Sequence, residues 1–356
     1  MEHAEKQELL SLSLDELQSA LTAFGEPAYR AKQLFSQLHK GLSPDEMTNI
    51  GKATKDLLRE RFSYHLPKIE QKLVSAIDGT VKYLFSLADG NCVESVVMAY
   101  EHGHTICISS QVGCRMGCKF CASTIGGKVR DLTPGELLGQ VIAAGRDLGI
   151  RIDGVVLMGI GEPLDNYDNV LKFLHLANSP DGLCIGYRHI SLSTCGLVDK
   201  IKKLQEENLP ITLSISLHAP NDETRSAIMP VNRRYGVAEL LDACRDYFRA
   251  TGRRISFEYT LIAGKNDSKA QAEELANVLN AHLRSRTETM PIHVNLIPVN
   301  EVKESGFTHS SRQAVAAFSR VLESRGIRAT VRRKLGADIN ASCGQLRKSA
   351  IDKKEG

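Results

Sequence analysis

The sequence predicts an α/β fold: a partial barrel of six βα units, preceded by a helical N-terminal domain and a small β-meander. From about residue 104, apolar runs with strand composition alternate with amphipathic segments of helical length. That alternation is typical of a parallel sheet with helical crossovers. Unusual polar residues follow the predicted strands, where the active sites of βα folds gather. The number of units favours a barrel over a doubly wound sheet, although periodicity alone does not close a barrel.

Three further regions frame this barrel, which we assign to residues 101–336. Residues 1–65 are predicted to be helical, because "SLDELQSALTAFG" begins with a serine cap and ends at Gly25. Residues 66–100 alternate apolar and polar side chains around two Asp-Gly turns, which predicts an antiparallel meander. Residues 337–356 form a C-terminal tail. The predicted barrel strands are "TICISS", "GVVLMG", "HISLST", "ITLSISLH", "ISFEYTL" and "IHVNLI", with "RATVRR" as a possible seventh.

The composition is ordinary for a soluble protein, with 24% charged and 42% hydrophobic residues, and we expect the protein to be cytoplasmic. The start, "MEHAEKQELL", lacks the apolar core of a signal peptide, and no apolar run has the length of a membrane span. A net charge of +3 is too small to prove a polyanionic partner. Basic clusters such as Arg332 and Arg333 suit phosphate groups, and equally suit a solvated surface.

Nine cysteines in such a chain do not indicate a disulfide framework. Three of them, Cys114, Cys118 and Cys121, form a C-x3-C-x2-C motif in the loop after the first barrel strand. Structural zinc normally takes four protein ligands, and no second pair is present. An iron–sulfur cube bound by three thiolates leaves one iron open. This spacing favours the 4Fe–4S cluster over zinc or inert thiols. Cys92, Cys184, Cys195 and Cys244 are predicted to be small buried residues.

The motif "CRMGCKFC" resembles that of radical S-adenosylmethionine (SAM) enzymes. In that superfamily the open iron binds the amino and carboxylate groups of SAM, and an electron passed through the cluster releases a 5′-deoxyadenosyl radical. "GIGEP" resembles the superfamily's element for the SAM amino group: Gly161 permits close backbone approach, and Glu162 offers an acceptor. The resemblance implies that the following residues also bind SAM: Ser193, Ser216, Leu217, His218 and Asn295. From sequence alone each is equally a capping or turn residue, and His218 equally a core histidine.

Two more cysteines specify the reaction. Cys107 in "TICISSQVGC" and Cys343 in "DINASCGQLRK", together with "SLHAPND", closely resemble the RlmN/Cfr family of RNA adenine methyltransferases, from about residue 15 to 350. The family usually has "DIDAACGQL" and "LSTSG" where this chain has Asn340 and Cys195. Neither departure removes a reacting group, and the role of Cys195 is not assigned by the sequence.

Carbon 2 of adenine is electron-poor and cannot attack a sulfonium methyl, and the resemblance implies a route around this. The Cys343 thiolate takes a methyl from one SAM. A second SAM provides the radical that removes hydrogen from this methyl, and the resulting S-methylene radical adds to the ring. Cys107 then attacks the sulfur of Cys343 to form a transient disulfide, and Glu94 takes the ring proton. Without the resemblance, Glu94 is a surface-facing strand residue.

The family implies an adenosine of the peptidyl-transferase region of 23S rRNA as substrate, and the adenosine 3′ of the anticodon in tRNAs. "SQVGC" and "SLHAPND" favour RlmN-type methylation of carbon 2 over Cfr-type methylation of carbon 8. Other expected partners are an electron donor such as flavodoxin or ferredoxin, with the enzyme a monomer. The alternatives are a non-catalytic metal-cluster protein that binds RNA, and a radical SAM enzyme acting on small molecules.

Overall fold

The computed structural model describes residues 6–285, 290–300, 306–339 and 341, and it has the predicted α/β architecture. Its strands are β1 (Gln7–Glu8), β2 (Phe62–Ser63), β3 (Lys68–Val74), β4 (Val81–Ser86), β5 (Cys92–Tyr100), β6 (Gly103–Cys107), β7 (Gln111–Gly113), β8 (Lys128–Asp131), β9 (Gly154–Leu157), β10 (Ile190–Thr194), β11 (Thr212–Ser216), β12 (Ile255–Leu261), β13 (His293–Pro298) and β14 (Arg328–Val331). Its helices are α1 (Leu14–Ala23), α2 (Tyr29–Leu38), α3 (Lys52–Arg61), α4 (Pro134–Leu148), α5 (Tyr167–Asn178), α6 (Val198–Glu206), α7 (Asp222–Ile228), α8 (Val237–Thr251), α9 (Lys269–Leu283) and α10 (Arg312–Ser324).

The N-terminal region consists of helices α1, α2 and α3, as predicted. Ser13 caps α1: its side chain accepts a hydrogen bond from the Glu16 backbone N–H, and the Glu16 carboxylate accepts one from the Ser13 N–H. This capping box satisfies two backbone donors that a helix start leaves unpaired. The chain then turns at Gly25, which has a φ of 82°.

These helices dock on α4 of the barrel region through polar contacts. Arg146 of α4 donates to the Gly41 carbonyl and forms an ion pair with Glu46 at 2.6 Å. His39 follows α2 and is buried against the chain at Gly182, where an added Cβ would lie 2.3 Å from the imidazole Nδ1. Burial lowers the pKa of His39 to about 4, so this histidine is neutral at pH 7.

The predicted meander forms strands β3, β4 and β5, each antiparallel to the next. Its two Asp-Gly turns place Gly79 and Gly90 at positive φ, as such hairpin turns require. β6 pairs with β5 in antiparallel fashion and with β9 in parallel fashion. The meander and the barrel therefore share one continuous sheet.

The barrel strands are parallel, and their spatial order β6-β9-β10-β11-β12-β13-β14 follows the chain order. A doubly wound sheet would reverse direction at a switch point, and within the described residues this sheet has no such reversal. The result is six βα units followed by a seventh strand, β14. This confirms the predicted fold class and the possible seventh strand. β12 is buried along its whole length, as expected for a strand covered on both faces. No helix in the described ranges is long and apolar enough to cross a membrane.

Candidate active site

The three motif cysteines lie in a loop framed by the short antiparallel pair β7–β8, an element that the sequence analysis did not predict. Gly113 has a φ of 79°, and a Cβ there would lie 2.0 Å from the Gly127 carbonyl oxygen. The Cys114 N–H donates to that same oxygen at 3.0 Å, and the Thr124 hydroxyl donates to the Cys121 carbonyl at 2.9 Å. Glycine at 113 is therefore required for the loop to close.

The cysteine loop forms one wall of a cavity of about 210 Å³ at the carboxyl ends of the barrel strands. Eight residues predicted from the sequence line this cavity: Cys114, Cys118, Cys121, Gly161, Glu162, Ser193, Ser216 and His218. Leu217 instead points into the main core, and its backbone N–H donates to the Glu258 carbonyl at 3.1 Å. The Asn295 side chain donates a hydrogen bond to Glu258, which lines the cavity. The structure therefore brings eight predicted residues to one cavity, with Leu217 and Asn295 adjacent to its wall.

The turn after β9 approaches the start of the cysteine segment very closely. Gly161 has a φ of 109°, and a Cβ at this position would lie 2.7 Å from the Ser110 hydroxyl and 2.8 Å from the Gln111 nitrogen. The group that comes close to Gly161 is therefore the protein's own chain at Ser110 and Gln111. Any side chain here would push the two halves of the cavity wall apart.

Glu162 is a buried carboxylate held by backbone amides. Its two oxygens accept from the Leu164 N–H at 3.1 Å and the Cys195 N–H at 2.7 Å. Burial raises the pKa of Glu162, and these hydrogen bonds oppose that rise. The side chains of Thr194 and Cys195 also form hydrogen bonds with this carboxylate, which lines the cavity.

His218 adopts a left-handed conformation with a φ of 58°, which is rare for this residue. Its Nδ1 accepts a hydrogen bond from the Thr260 N–H at 2.9 Å, and its ring meets Phe120 edge-on. Burial lowers the pKa of His218 to about 3. The imidazole is therefore neutral with its proton on Nε2, so it offers a donor.

Glu258 on β12 is a cavity residue that the sequence analysis missed. It accepts from Asn295 Nδ2 at 2.7 Å and from Ser256 Oγ at 3.0 Å. Burial raises the pKa of Glu258, while Asn295 and the charge of Arg332 lower it. Arg332, predicted to contact phosphates, is exposed and lines the same cavity. The signal for Glu258 was a charged residue inside an otherwise apolar strand.

Arg225 of α7 was also missed, and it supports the cavity wall from behind. Its guanidinium is fully buried and donates to the carbonyls of Cys195 at 2.7 Å, Leu217 at 2.9 Å and Ser216 at 3.1 Å. Arginine presents five donors in a rigid plane, so one side chain joins the ends of two strands. Burial lowers the pKa of Arg225.

A second polar group lies on the meander. Glu94 of β5 is 2% exposed and forms an ion pair with Lys82 of β4, which is 0% exposed, at 3.0 Å. Glu94 is therefore not the surface residue that its strand position alone suggested. A buried ion pair needs its partner, because removing one member leaves an uncompensated charge.

Cys107 lies on the same face of the sheet as this pair. The register aligns Lys82, Val96 and Cys107 across β4, β5 and β6, and paired residues share a face. Leu335 and Ala341 pack against the buried cluster of Val96, Met98 and Cys107. Met158 also contacts this cluster and lines the cavity, so it connects the two regions. Cys343 lies outside the described residues.

The predictions for the remaining cysteines are only partly correct. Cys195 and Cys244 are buried, Cys92 is half-buried, and Cys184 is exposed. Cys195 packs with Cys118 in an apolar cluster with Met229. This packing, and its backbone contacts with Glu162 and Arg225, explain its position without a chemical role for the thiol.

The three thiols of the cysteine loop suit an iron–sulfur cube, which takes one thiolate on each iron. Cys114 and Cys118 are buried, Cys121 is half-buried, and all three thiols face one cavity. Burial raises the pKa of the Cys114 thiol to about 12.

Comparison with known proteins identifies the family. Residues 108–276 match the Radical SAM superfamily, and residues 7–63 match the ribosomal RNA large subunit methyltransferase N-terminal domain. The chain is 52% identical over 345 residues to a probable dual-specificity RNA methyltransferase RlmN of Clostridium novyi (strain NT), across 96% of this chain and 98% of that relative. This chain belongs to the RlmN family of radical SAM methyltransferases.

Other RlmN relatives and a solved structure agree with this assignment. A probable RlmN of Alkaliphilus oremlandii (strain OhILAs) is 52% identical over 348 residues, which is 98% of this chain and 99% of that relative. The crystal structure of a radical SAM methyltransferase from Sphaerobacter thermophilus matches with a TM-score of 0.88 and 41% identity, over 95% of this chain and 98% of that chain. The predicted family and transferase class are confirmed, and family membership implies an iron–sulfur cluster and SAM.

Proposed function

We propose that this RlmN family member methylates carbon 2 of one adenine in the peptidyl-transferase region of 23S rRNA, and the adenine 3′ of the anticodon in tRNAs. The observation that supports this most strongly is the contact of Leu335 and Ala341 with the Cys107 cluster. It brings the segment that precedes Cys343 to a cysteine far earlier in the chain. The names of the relatives, dual-specificity RNA methyltransferases, support two RNA substrates.

Cys114, Cys118 and Cys121 would each bind one iron of a 4Fe–4S cluster, and SAM would complete the fourth iron. When bound, this group supplies the electron that cleaves SAM to methionine and a 5′-deoxyadenosyl radical. The chain's own contribution is to hold SAM in place. Glu162, Ser193, Ser216 and Asn295 offer polar contacts, Gly161 and Leu217 contribute through the backbone, and His218 donates from Nε2.

Cys343 would carry the methyl group. Its thiolate sulfur forms a bond to the methyl carbon as the sulfonium bond of a first SAM breaks and S-adenosylhomocysteine leaves. One hydrogen atom of this S-methyl group then passes to the deoxyadenosyl radical, giving 5′-deoxyadenosine. The carbon-centred radical left on Cys343 forms the new bond to carbon 2 of the adenine.

Glu94 would restore the aromatic ring. The adduct must lose one electron and the proton on carbon 2. The Glu94 carboxylate would accept the proton, and accepting one electron is chemistry that an iron–sulfur cluster supplies when bound. Lys82 would position this carboxylate, because its ammonium lies 3.0 Å from Glu94 in the buried pair. General bases act from within hydrogen-bonding distance of the proton they remove.

Cys107 would release the product. Its thiolate attacks the sulfur of Cys343, the disulfide forms as the sulfur–methylene bond breaks, and the methylene carbon takes a proton to become the methyl group. Two electrons from a cellular thiol reductant return the disulfide to two thiols. Each turnover therefore uses two SAM molecules for one methyl group.

The proposal also covers the RNA-binding surface, the electron donor and the location of the enzyme. The helical domain (residues 1–65) would bind RNA, the meander (66–100) would carry Glu94, and the barrel (101–336) and tail (337–356) would carry the other reacting groups. The enzyme would act in the cytoplasm as a monomer and receive its electron from a flavodoxin or ferredoxin. Changing Arg332 and Arg333 to glutamate should weaken RNA binding, measured by filter retention.

The decisive experiment compares two variants of the cluster-loaded enzyme with reductant, SAM and rRNA. Cys343→Ala should form no methylated RNA, whereas Cys107→Ala should accumulate a covalent enzyme–RNA adduct. Mass spectrometry of digested RNA from the unmodified enzyme should give 2-methyladenosine. 8-Methyladenosine would instead support the Cfr-type alternative, and methylated RNA from Cys343→Ala would refute the proposal.

A further inference from the structure

The C-terminal segment is attached to the meander by a reciprocal pair of carboxylate contacts. We define the tail stem as residues 335–339 and 341, and the β3–β4 turn as Ser75–Thr80. We propose that Asp338 of the stem and Asp78 of the turn are positioning residues, which hold the tail so that Cys343 is presented to Cys107. This inference rests on the proposed function and adds to it how the methyl-carrying cysteine is delivered.

Each carboxylate belongs to one segment and accepts from the other. Asp338 accepts from the Ser75 hydroxyl at 2.7 Å and from the Ala76 backbone N–H at 2.9 Å. Asp78 accepts from the Gly336 N–H at 2.9 Å and, within its own turn, from the Thr80 N–H at 3.0 Å. Four donors are therefore satisfied by two side chains.

The turn is shaped to receive the stem. The Ser75 hydroxyl oxygen accepts from the N–H groups of Ile77 and Asp78 at 3.2 and 3.3 Å, while its proton goes to Asp338. The Gly336 N–H lowers the pKa of Asp78 to about 2, and the Ser75 hydroxyl lowers the pKa of Asp338. Both carboxylates are thus ionised at physiological pH, and hydrogen bonds to ionised groups are the stronger kind.

The stem reverses direction immediately after this contact. Gly336 has a φ of 59°, and its carbonyl accepts from the N–H groups of Ile339 and Ala341 at 3.2 and 3.1 Å. A Cβ on Gly336 would lie 2.6 Å from the Ala341 Cβ and 3.2 Å from the Thr80 methyl. This tight turn is what places Ala341 against the Cys107 cluster.

The position of Ala341 limits where Cys343 can go. Two residues span at most about 7 Å, so anchoring Ala341 against the cluster that contains Cys107 limits how far the chain can carry Cys343 from that cluster. A tethered thiol has a high effective concentration, which falls when the tether loses its anchor. Loss of the Asp338 contacts should therefore slow the steps that need both cysteines, and leave SAM cleavage in the cavity unaffected.

The test uses the full-length, cluster-loaded enzyme and two readouts. The first is the equilibrium between the Cys107–Cys343 disulfide and a buffer of reduced and oxidised glutathione, in which two thiols lose two electrons and two protons to one glutathione disulfide. The second is the single-turnover transfer of a methyl group from preloaded Cys343 to RNA. Asp338→Ala should lower both the equilibrium constant for disulfide formation and the rate of methyl transfer by about tenfold or more. Asp338→Asn keeps one acceptor oxygen, so its values should lie between those of Asp338→Ala and the unmodified enzyme.

The controls separate positioning from folding. Asp338 is exposed, so Asp338→Ala should keep its thermal unfolding midpoint, and the slow formation of 5′-deoxyadenosine without RNA should stay within about twofold of the unmodified enzyme. Asp246→Ala removes an exposed carboxylate of α8 and should change neither readout. Gly336→Ala tests the same contact from the stem side and should behave like Asp338→Ala.

Two distinct failures are possible. If Asp338→Ala and Gly336→Ala both match the unmodified enzyme in disulfide equilibrium and methyl transfer, the positioning role is wrong and the proposed function stands. If the unmodified enzyme itself forms neither the disulfide nor methylated RNA, the proposed function fails.

Discussion

The cavity and the Cys107 face are built in different ways. The cavity is assembled from the loops that follow successive parallel strands, and backbone N–H groups hold two of its polar side chains: Glu162 accepts from two of them, and His218 accepts from that of Thr260. The Cys107 face combines β4, β5 and β6 with the tail stem, and its buried charges, Lys82 and Glu94, are paired with each other. Changes in the cavity should therefore affect cluster and SAM binding, and changes on the face should affect later steps.

The largest expected effect is in the cavity. Cys118→Ala removes one thiolate of the proposed cluster, and an iron–sulfur cube with a missing ligand is not held in a reducible form. Formation of 5′-deoxyadenosine should fall to background, and iron content after anaerobic reconstitution should fall with it. Cys244→Ala, at another buried cysteine outside the cavity, should keep both. Undiminished 5′-deoxyadenosine from Cys118→Ala would show that the cavity is not the radical site.

The next effect tests the face. Lys82→Met removes the cation 3.0 Å from the buried Glu94 carboxylate and should lower the free energy of unfolding by about 3–5 kcal/mol, measured by urea denaturation. The double variant Lys82→Met/Glu94→Gln removes both charges and should recover most of this stability, yet fail to methylate RNA. Lys68→Met changes an exposed lysine of β3 and should be neutral. A double variant with normal RNA methylation would exclude Glu94 as the proton acceptor.

A smaller effect separates steric contact from backbone strain in the cavity wall. Gly161→Ala should destabilise the protein by about 2 kcal/mol and weaken SAM binding, because the new Cβ meets Ser110 and Gln111. Gly90→Ala is the matched control: its φ is also positive, at 82°, but no atom lies within 4 Å of the new Cβ. Thermal unfolding and SAM titration should show a larger loss for Gly161→Ala. Equal losses would mean that strain alone accounts for this glycine.

The smallest effect concerns the docking of the N-terminal helices. The pKa of His39 is about 4 in the folded protein and near 6.5 when unfolded, so the unfolded state binds the extra proton. Its stabilising contribution is therefore complete above pH 6.5 and is lost as the pH falls toward 4. Over this window the free energy of unfolding should fall more steeply than in His39→Leu, by up to about 1.4 kcal/mol per pH unit. Identical slopes would contradict the burial of a neutral His39.

Much of the fold and the cavity could be predicted because their signals are local. The cysteine spacing, the "GIGEP" turn and the strand–helix alternation each lie within a short segment. Glu258 and Arg225 could not be predicted, since their roles depend on which strands become neighbours. The pairing of Lys82 with Glu94 requires the register of β4 and β5, which the turn sequence alone does not specify. The stem contact joins Asp78 to Gly336, and the whole barrel lies between these two residues in the sequence. No local sequence pattern predicts such a contact.

The central claim is that a radical made in the cavity takes hydrogen from a methyl group carried by Cys343. The most direct test loads Cys343 with a trideuterated methyl group, removes free SAM, and starts one turnover with unlabelled SAM, reductant and RNA. Mass spectrometry should then find one deuterium in 5′-deoxyadenosine and two in the methyl group of the RNA adenine. Three deuterium atoms in the RNA methyl group, with none in 5′-deoxyadenosine, would contradict the account.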